Sequence, residues 1–201
     1  MALEESLPSG DGAFRGNDVA IEKSRDMGAS WICLTLFAWR WIFSPFQSFL
    51  MVSRKEGLVD GSGDSLFSHI DFINKGLPSW MLPEMRRNKL KMINLENGSK
   101  IEGESTTDNI GRGGRRTALL VDEFAAFEGG GYDVLSATAD NTNCRIFNST
   151  PNGTANAFYA QLQKGTPRLR FHWSSHPEKA HGLYEGDDGR PRSPWYDGGC
   201  L

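Results

Sequence analysis

Cysteine is scarce in this chain. Cys33, Cys144 and Cys200 are its only three, far apart and without a CxxC pair. That excludes a disulfide scaffold and a cysteine zinc knuckle, and it suits a reducing cytoplasm. Cys33, in an apolar helix segment, and Cys144, at the head of a strand, read as small buried hydrophobes. An excess of basic residues is lacking too. A net charge of -3 excludes a generally cationic nucleic-acid coat and leaves a local DNA contact open. No apolar run reaches the roughly 20 residues that span a bilayer. The longest candidate, Trp31–Phe43, is interrupted by Arg40 and ended by Pro45, and reads as a buried helix. Met1–Ser6 carries acids and no basic segment, so a signal peptide is not expected. His172 and His176 are spaced like a zinc pair, but they sit on a strand-to-loop stretch ended by Pro177 rather than on a helix. Repeats and heptads are lacking as well.

What remains is an α/β pattern. With 201 residues there is room for one such domain with a real core, and not for two large ones. Residues 1–17 are small, polar and glycine-rich, and read as a flexible arm. The pattern then predicts a strand over Asp18–Glu22, a helix over Ala29–Phe43 and a strand over Phe49–Ser53. Helices follow over Ser65–Lys75 and Pro78–Arg87, placed by Ser65 and Pro78 as start signals. Asn97-Gly98 predicts a hairpin between Leu90–Leu95 and Lys100–Glu104. Thr117–Val121 is uniformly apolar, as a central parallel strand should be. Further elements are expected at Tyr132–Ala139 (helix), Asn143–Ser149 and Arg168–Trp173 (strands). From Glu185 the composition turns to Gly, Asp, Arg and Pro, so 18–184 is taken as the domain and 185–201 as a loose segment. Strands alternating with helices imply a three-layer sandwich around a mostly parallel sheet.

Two stretches carry chemistry. Lys23-Ser24-Arg25-Asp26-Met27-Gly28-Ala29-Ser30 lies between a predicted strand and a predicted helix, the setting of a phosphate-binding loop. Against G-x-x-x-x-G-K-[ST] only Gly28 and Ser30 match. Lys23 stands where the first glycine belongs, and Ala29 where the lysine belongs. Amides around Met27, Gly28 and Ala29 would face phosphate oxygens, and the Ser30 hydroxyl would face Mg²⁺. Lys23 and Arg25 are the nearby cations available to replace the missing lysine. The second stretch, Leu119-Leu120-Val121-Asp122-Glu123, is a buried-strand run ending in two acids. It suits a magnesium-holding Asp122 followed by Glu123 as the base for an attacking water. Together they point to a nucleotide-hydrolysing site in a P-loop NTPase of the RecA/ASCE-like kind.

Those two stretches, with Ser53-Arg54-Lys55-Glu56, Gly111-Arg112-Gly113-Gly114-Arg115-Arg116 and Ser149-Thr150-Pro151-Asn152-Gly153, resemble the large terminase subunit of tailed bacteriophages. The likeness is to that family's N-terminal ATPase domain and runs from about residue 18 to Tyr196. The resemblance implies a DNA-packaging motor that uses ATP and Mg²⁺. It gives Lys23 the phosphate-binding lysine role, since such loops commonly begin with lysine. Ser24 through Ser30 and Trp31 complete the ATP contacts, Ser30 and Asp122 hold the metal, and Glu123 is catalytic. Ser149, Thr150, Pro151 and Asn152 match a coupling motif that senses the γ-phosphate. Arg112 is the first candidate for a finger reaching a neighbour's ATP, with Arg115 and Arg116 behind it. Implied partners are double-stranded DNA, the portal protein, the small terminase subunit and further copies in a ring, with no membrane. The implied location is the host bacterial cytoplasm, transiently on the procapsid portal. Phe14 and Arg15 are candidates for holding adenine. The family's nuclease domain is expected to be absent, as in a fragment, a split gene or a decayed prophage reading frame, and so is nuclease activity. Two other readings stay open: another P-loop nucleic-acid motor such as a helicase, and a non-catalytic prophage remnant or assembly module.

Overall fold

The computed structural model describes residues 17–106 and 114–194. The arm, including Phe14 and Arg15, and the segment holding Arg112 lie outside the described residues, as does Cys200. Eight strands form the main sheet: β1 (Val19–Lys23), β2 (Ser48–Ser53), β3 (Met85–Asn88), β4 (Lys91–Asn94), β5 (Lys100–Ser105), β6 (Ala118–Asp122), β7 (Arg145–Ser149) and β8 (Arg168–Phe171). Their order across the sheet is β3-β4-β5-β2-β6-β7-β1-β8. From β5 to β8 all neighbours run parallel, while β3 and β4 extend one edge antiparallel. The mostly parallel, three-layer architecture expected from the sequence is therefore present.

Alternation along the central strands divides the core in two. Val19, Ile21, Phe49, Met51, Leu120 and Ile146 face one side of the sheet, where α1 (Ala29–Phe43), α2 (Glu56–Val59) and α3 (Leu66–Gly76) cover them. Ala20, Leu50, Val52, Val121 and Phe147 face the other, under the turn at Phe124–Phe127, α4 (Tyr132–Ala137) and α5 (Ala157–Gln163). Each central strand is buried on both faces, which is why it reads as a continuous apolar run. Ser65 caps α3 through its side chain, as its position predicts. The β4–β5 hairpin forms as expected, with Gly98 at φ 72 in its loop. That loop also closes the end of α1, since Asn97 Nδ2 donates to the carbonyls of Trp41 and Ile42.

Two expectations are corrected. Pro78–Arg87 is not a helix: one 3₁₀ turn at Ser79–Met81 gives way to β3, which pairs with β4. Pro83 cannot donate to a helical ladder, and the chain beyond it joins the exposed antiparallel edge. Helix α1 is only half-buried. Cys33, Leu34, Phe37 and Trp41 pack on the sheet, while Trp31, Ile32, Trp39 and Phe43 are exposed on its outer face. Among the described residues no helix is long and apolar enough to cross a membrane. Cys33 and Cys144 are free and buried as read, and burial pushes both thiols up, Cys144 to about 12. Beyond residue 184 the chain still contributes β9 (Tyr184–Glu185) paired with β10 (Pro191–Arg192), and Ser193 is buried.

Candidate functional site

The parallel strands deliver their ends to one place. β1 ends at Lys23, β6 at Asp122 and β7, which lies between them, at Ser149. Past Lys23 the loop turns through Asp26 (φ 54) and Gly28 (φ 70) into α1. No side chain caps the start of α1 and its first turn holds no acid, so its leading amides face outward with the positive end of the helix dipole. The loop itself is held from behind. Ser24 N–H donates to the Phe171 carbonyl at 2.9 Å, and Ser24 Oγ accepts from Trp173 N–H at 3.1 Å.

Ser30 and Asp122, far apart in sequence, meet beneath the loop. Ser30 Oγ donates to Asp122 Oδ1 and Oδ2 at 3.1 and 3.2 Å. A third residue completes a triangle: Asn148 Nδ2 donates to Ser30 Oγ at 3.0 Å and to Asp122 Oδ1 at 2.5 Å. Burial pushes the Asp122 carboxyl above its ordinary range, and Glu123 adds to this. Bonds from Asn148 and Ser30 and the charge of Lys23 pull the other way. Lys23 is thus close enough to act on the acid that ends β6.

Glu123 stands one residue past β6 with φ 57, a conformation that lifts its side chain off the strand's alternation. Its carboxylate accepts a 2.9 Å bond from the Nε of Arg54, the residue just past β2. Both side chains are a little under half exposed, at 42% for Arg54 and 44% for Glu123. Ser149 ties the next segment in. Its Oγ accepts from Ala125 N–H at 2.9 Å and donates to the Thr150 carbonyl at 3.0 Å. Asn152 Nδ2 reaches the Ala125 carbonyl at 3.4 Å. The stretch from Ser149 to Asn152 is therefore bonded to the turn that follows Glu123. Trp31 lies against α3, stacked on His69 with ring centroids 4.1 Å apart and edge-on to Phe72.

The structure brings together Lys23, the loop through Ser30, Asp122, Glu123 and Ser149–Asn152. It does not bring Arg116 there. That residue is buried at the start of β6, paired with Glu102 and donating to Ser48 Oγ. Its guanidinium is occupied within its own chain and unsuited to reach a neighbour. Arg115 is exposed, and Arg112 lies outside the described residues. Asn148 and Lys179 escaped the sequence reading, and Arg54, although it stands in the Ser53–Glu56 motif, was given no role there. Asn148 offered a signal, a polar side chain within the apolar run of β7 beside the Ser-Thr-Pro-Asn motif. Arg54 and Lys179 make their contacts across 69 and 154 residues of chain, and nothing local points to those partners.

Among the described residues no group of three His, Cys, Asp or Glu is placed to hold a metal. The donor set fits Mg²⁺ differently. A carboxylate and a hydroxyl converge, and Asn148 Oδ1 is buried beside them with no hydrogen-bond partner among the described residues. Mg²⁺ keeps most of its water and takes one or two protein oxygens together with phosphate, and an idle buried acceptor suits such a water.

No family model and no curated protein sequence matches the chain. Its fold is found in solved structures. The large terminase of bacteriophage HK97 superposes with a TM-score of 0.63 at 12% identity, over 88% of this chain and 39% of that one. The ATPase domain of the Thermus phage P74-26 large terminase gives 0.57 at 15% identity, over 82% of this chain and 79% of that one. The large terminase of a thermophilic bacteriophage, solved in complex with ADP, gives 0.58 at 13% identity, over 89% and 48%. This chain thus spans well under half the length of the HK97 protein and shares the fold of these structures.

Proposed function

We propose that the chain is the ATPase motor domain of a phage large terminase, hydrolysing ATP with Mg²⁺ to drive double-stranded DNA into a procapsid. The observation that carries this reading is the Ser30–Asp122–Asn148 triangle under an uncapped helix start, with Glu123 one residue beyond it. The fold shared with terminase ATPase domains supports it, as does the solution of one such large terminase with ADP and with ATP-gamma-S. In this reading the ATPase unit is residues 18–184.

In this reading the loop amides and Lys23 bind the β- and γ-phosphates, and Ser30 and Asp122 hold the ion. Bound there, Mg²⁺ would neutralise charge building on the phosphate oxygens. Glu123 accepts the proton of the attacking water and orients it in line with the γ-phosphate. Arg54 fixes where that carboxylate rests. The bonds from Ser149 and Asn152 to the turn after Glu123 give a direct path by which loss of the γ-phosphate moves the segment beyond β7. Arg112 serves a neighbour's site in a ring on the portal, in the host cytoplasm, with the small subunit as partner. No nuclease activity is ascribed to these residues.

The test is nucleotide binding with and without Mg²⁺, followed by turnover. The parent should bind ATP more tightly with the ion, and Glu123→Gln should bind ATP yet not turn it over. A chain that binds no nucleotide under either condition refutes the assignment and returns the fold to a non-catalytic role.

A further inference from the structure

The phosphate loop is short of glycine, and yet Asp26 holds φ 54, a region that side-chain-bearing residues seldom enter. Aspartate enters it more readily than most such residues, and here a contact from outside the loop meets it. That contact is Lys179. It is 5% exposed, its Nζ donates to the Arg25 carbonyl at 2.6 Å, and it pairs with the Asp26 carboxylate at 3.7 Å. Burying an ammonium is costly unless it is paired and hydrogen-bonded, so its place is not incidental packing. Its own backbone is pinned at both ends. The Lys179 N–H donates to His176 Nδ1 at 3.3 Å, and its carbonyl accepts from Ser193 Oγ at 2.6 Å.

The peptide between Arg25 and Asp26 turns this contact into a statement about phosphate. All peptides among the described residues are trans. In a trans peptide the carbonyl and the next N–H point in opposite directions. Drawing the Arg25 carbonyl toward Lys179 therefore turns the Asp26 N–H to the opposite face of the loop. The positive charge beside that carbonyl also polarises the peptide and strengthens the N–H as a donor. We propose that Lys179 is a positioning residue for the phosphate loop, imposing from outside the left-handed turn that glycine supplies in glycine-rich loops and aiming the Asp26 amide at a bound phosphate. This rests on the nucleotide-binding reading above. It extends the site into the segment after β8, a stretch the loop motif does not include.

Glycine at position 26 should make the lysine dispensable, and that is the test. Binding of ADP with Mg²⁺ is measured by calorimetry on the full chain. Lys179→Met should weaken it about tenfold, the scale of one charge-assisted hydrogen bond. Lys179→Arg should keep much of the affinity. Adding Asp26→Gly to Lys179→Met should recover most of the loss, because glycine adopts the turn unaided. A purely structural lysine would show no such recovery. Parent-like binding by Lys179→Met, or a loss that Asp26→Gly does not relieve, overturns the proposal. Should Lys179→Met fail to fold, Asp26→Ala is compared with Asp26→Gly in the parent. Tighter binding by the glycine variant supports the proposal, and equal affinities overturn it. A parent that binds no nucleotide overturns the ATPase reading and this inference with it, whereas tight parental binding that Lys179→Met leaves unchanged overturns this inference alone.

Discussion

Two carboxylates flank the run of β6, and they are kept in opposite ways. Glu102, on β5, is partly buried, which by itself would raise its pKa. Bonds from Lys91, Arg116 and Lys100 outweigh that and hold it at about 2. Asp122, at the other end, is buried with only neutral donors in contact and another acid as its neighbour, and its pKa goes up. One acid is saturated with its own chain's cations and the other is left wanting one. The contrast separates a cluster that closes the sheet from a cluster prepared for a guest.

The largest effects should fall on turnover, without loss of fold, and those of Glu123 and Lys23 come from the unsaturated end. Arg112→Ala should lower assembled turnover by about 10³–10⁵-fold while leaving the slow activity of dilute protein alone, as for a finger supplied in trans. Turnover that does not depend on protein concentration, and is unaffected by the variant, removes that role. Glu123→Gln should cost about 10²–10⁴-fold in turnover, the range for a positioned general base, with thermal stability near that of the parent. Lys23→Ala should weaken phosphate binding and cut hydrolysis on the order of 10²-fold. Unchanged ATP affinity would send the role to Arg25.

The saturated end should behave in reverse. Glu102→Ala leaves Arg116 buried without its acid, which should destabilise the fold by about 3–5 kcal/mol, read by urea denaturation, while the surviving folded protein binds nucleotide normally. The smallest effect is the acid limb. Since the folded pKa of Glu102 lies below its ordinary 4.5, its stabilisation is present above that value and is lost as pH falls from about 4.5 toward 2. Glu102→Gln should flatten this part of the stability–pH curve. An unaltered curve would place the acid sensitivity elsewhere.

What was legible in the sequence follows from how local each cause is. The bounds of α1 could be read because Gly28 precedes it and Pro45 follows its end. Strand β6 could be read because burial on both faces leaves a single apolar word. Asp122 and Glu123 stood out as acids ending that word. Pro78–Arg87 misled because a proline at a start position outweighed Pro83 within the segment and the alternating burial of Met85–Asn88. The contacts of Asn148, Arg54 and Lys179 were hidden for a different reason. Each makes its contacts only when segments distant in the chain are brought together, and single-residue chemistry does not foretell which neighbours the fold will provide.

The sheet order has one more consequence, for the birth of the molecule. Among the described strands β1 is the first to be made, and both its hydrogen-bonded neighbours, β7 and β8, belong to residues 145–171. On the ribosome, synthesis proceeds from the N-terminus, so the strand that carries the phosphate loop must wait with both edges bare while most of the chain is made. Pairings of such long sequence separation close slowly, and bare strand edges invite pairing with other chains. The sheet is completed around β1 last, and a chain halted before residue 145 would present that strand without β7 and β8.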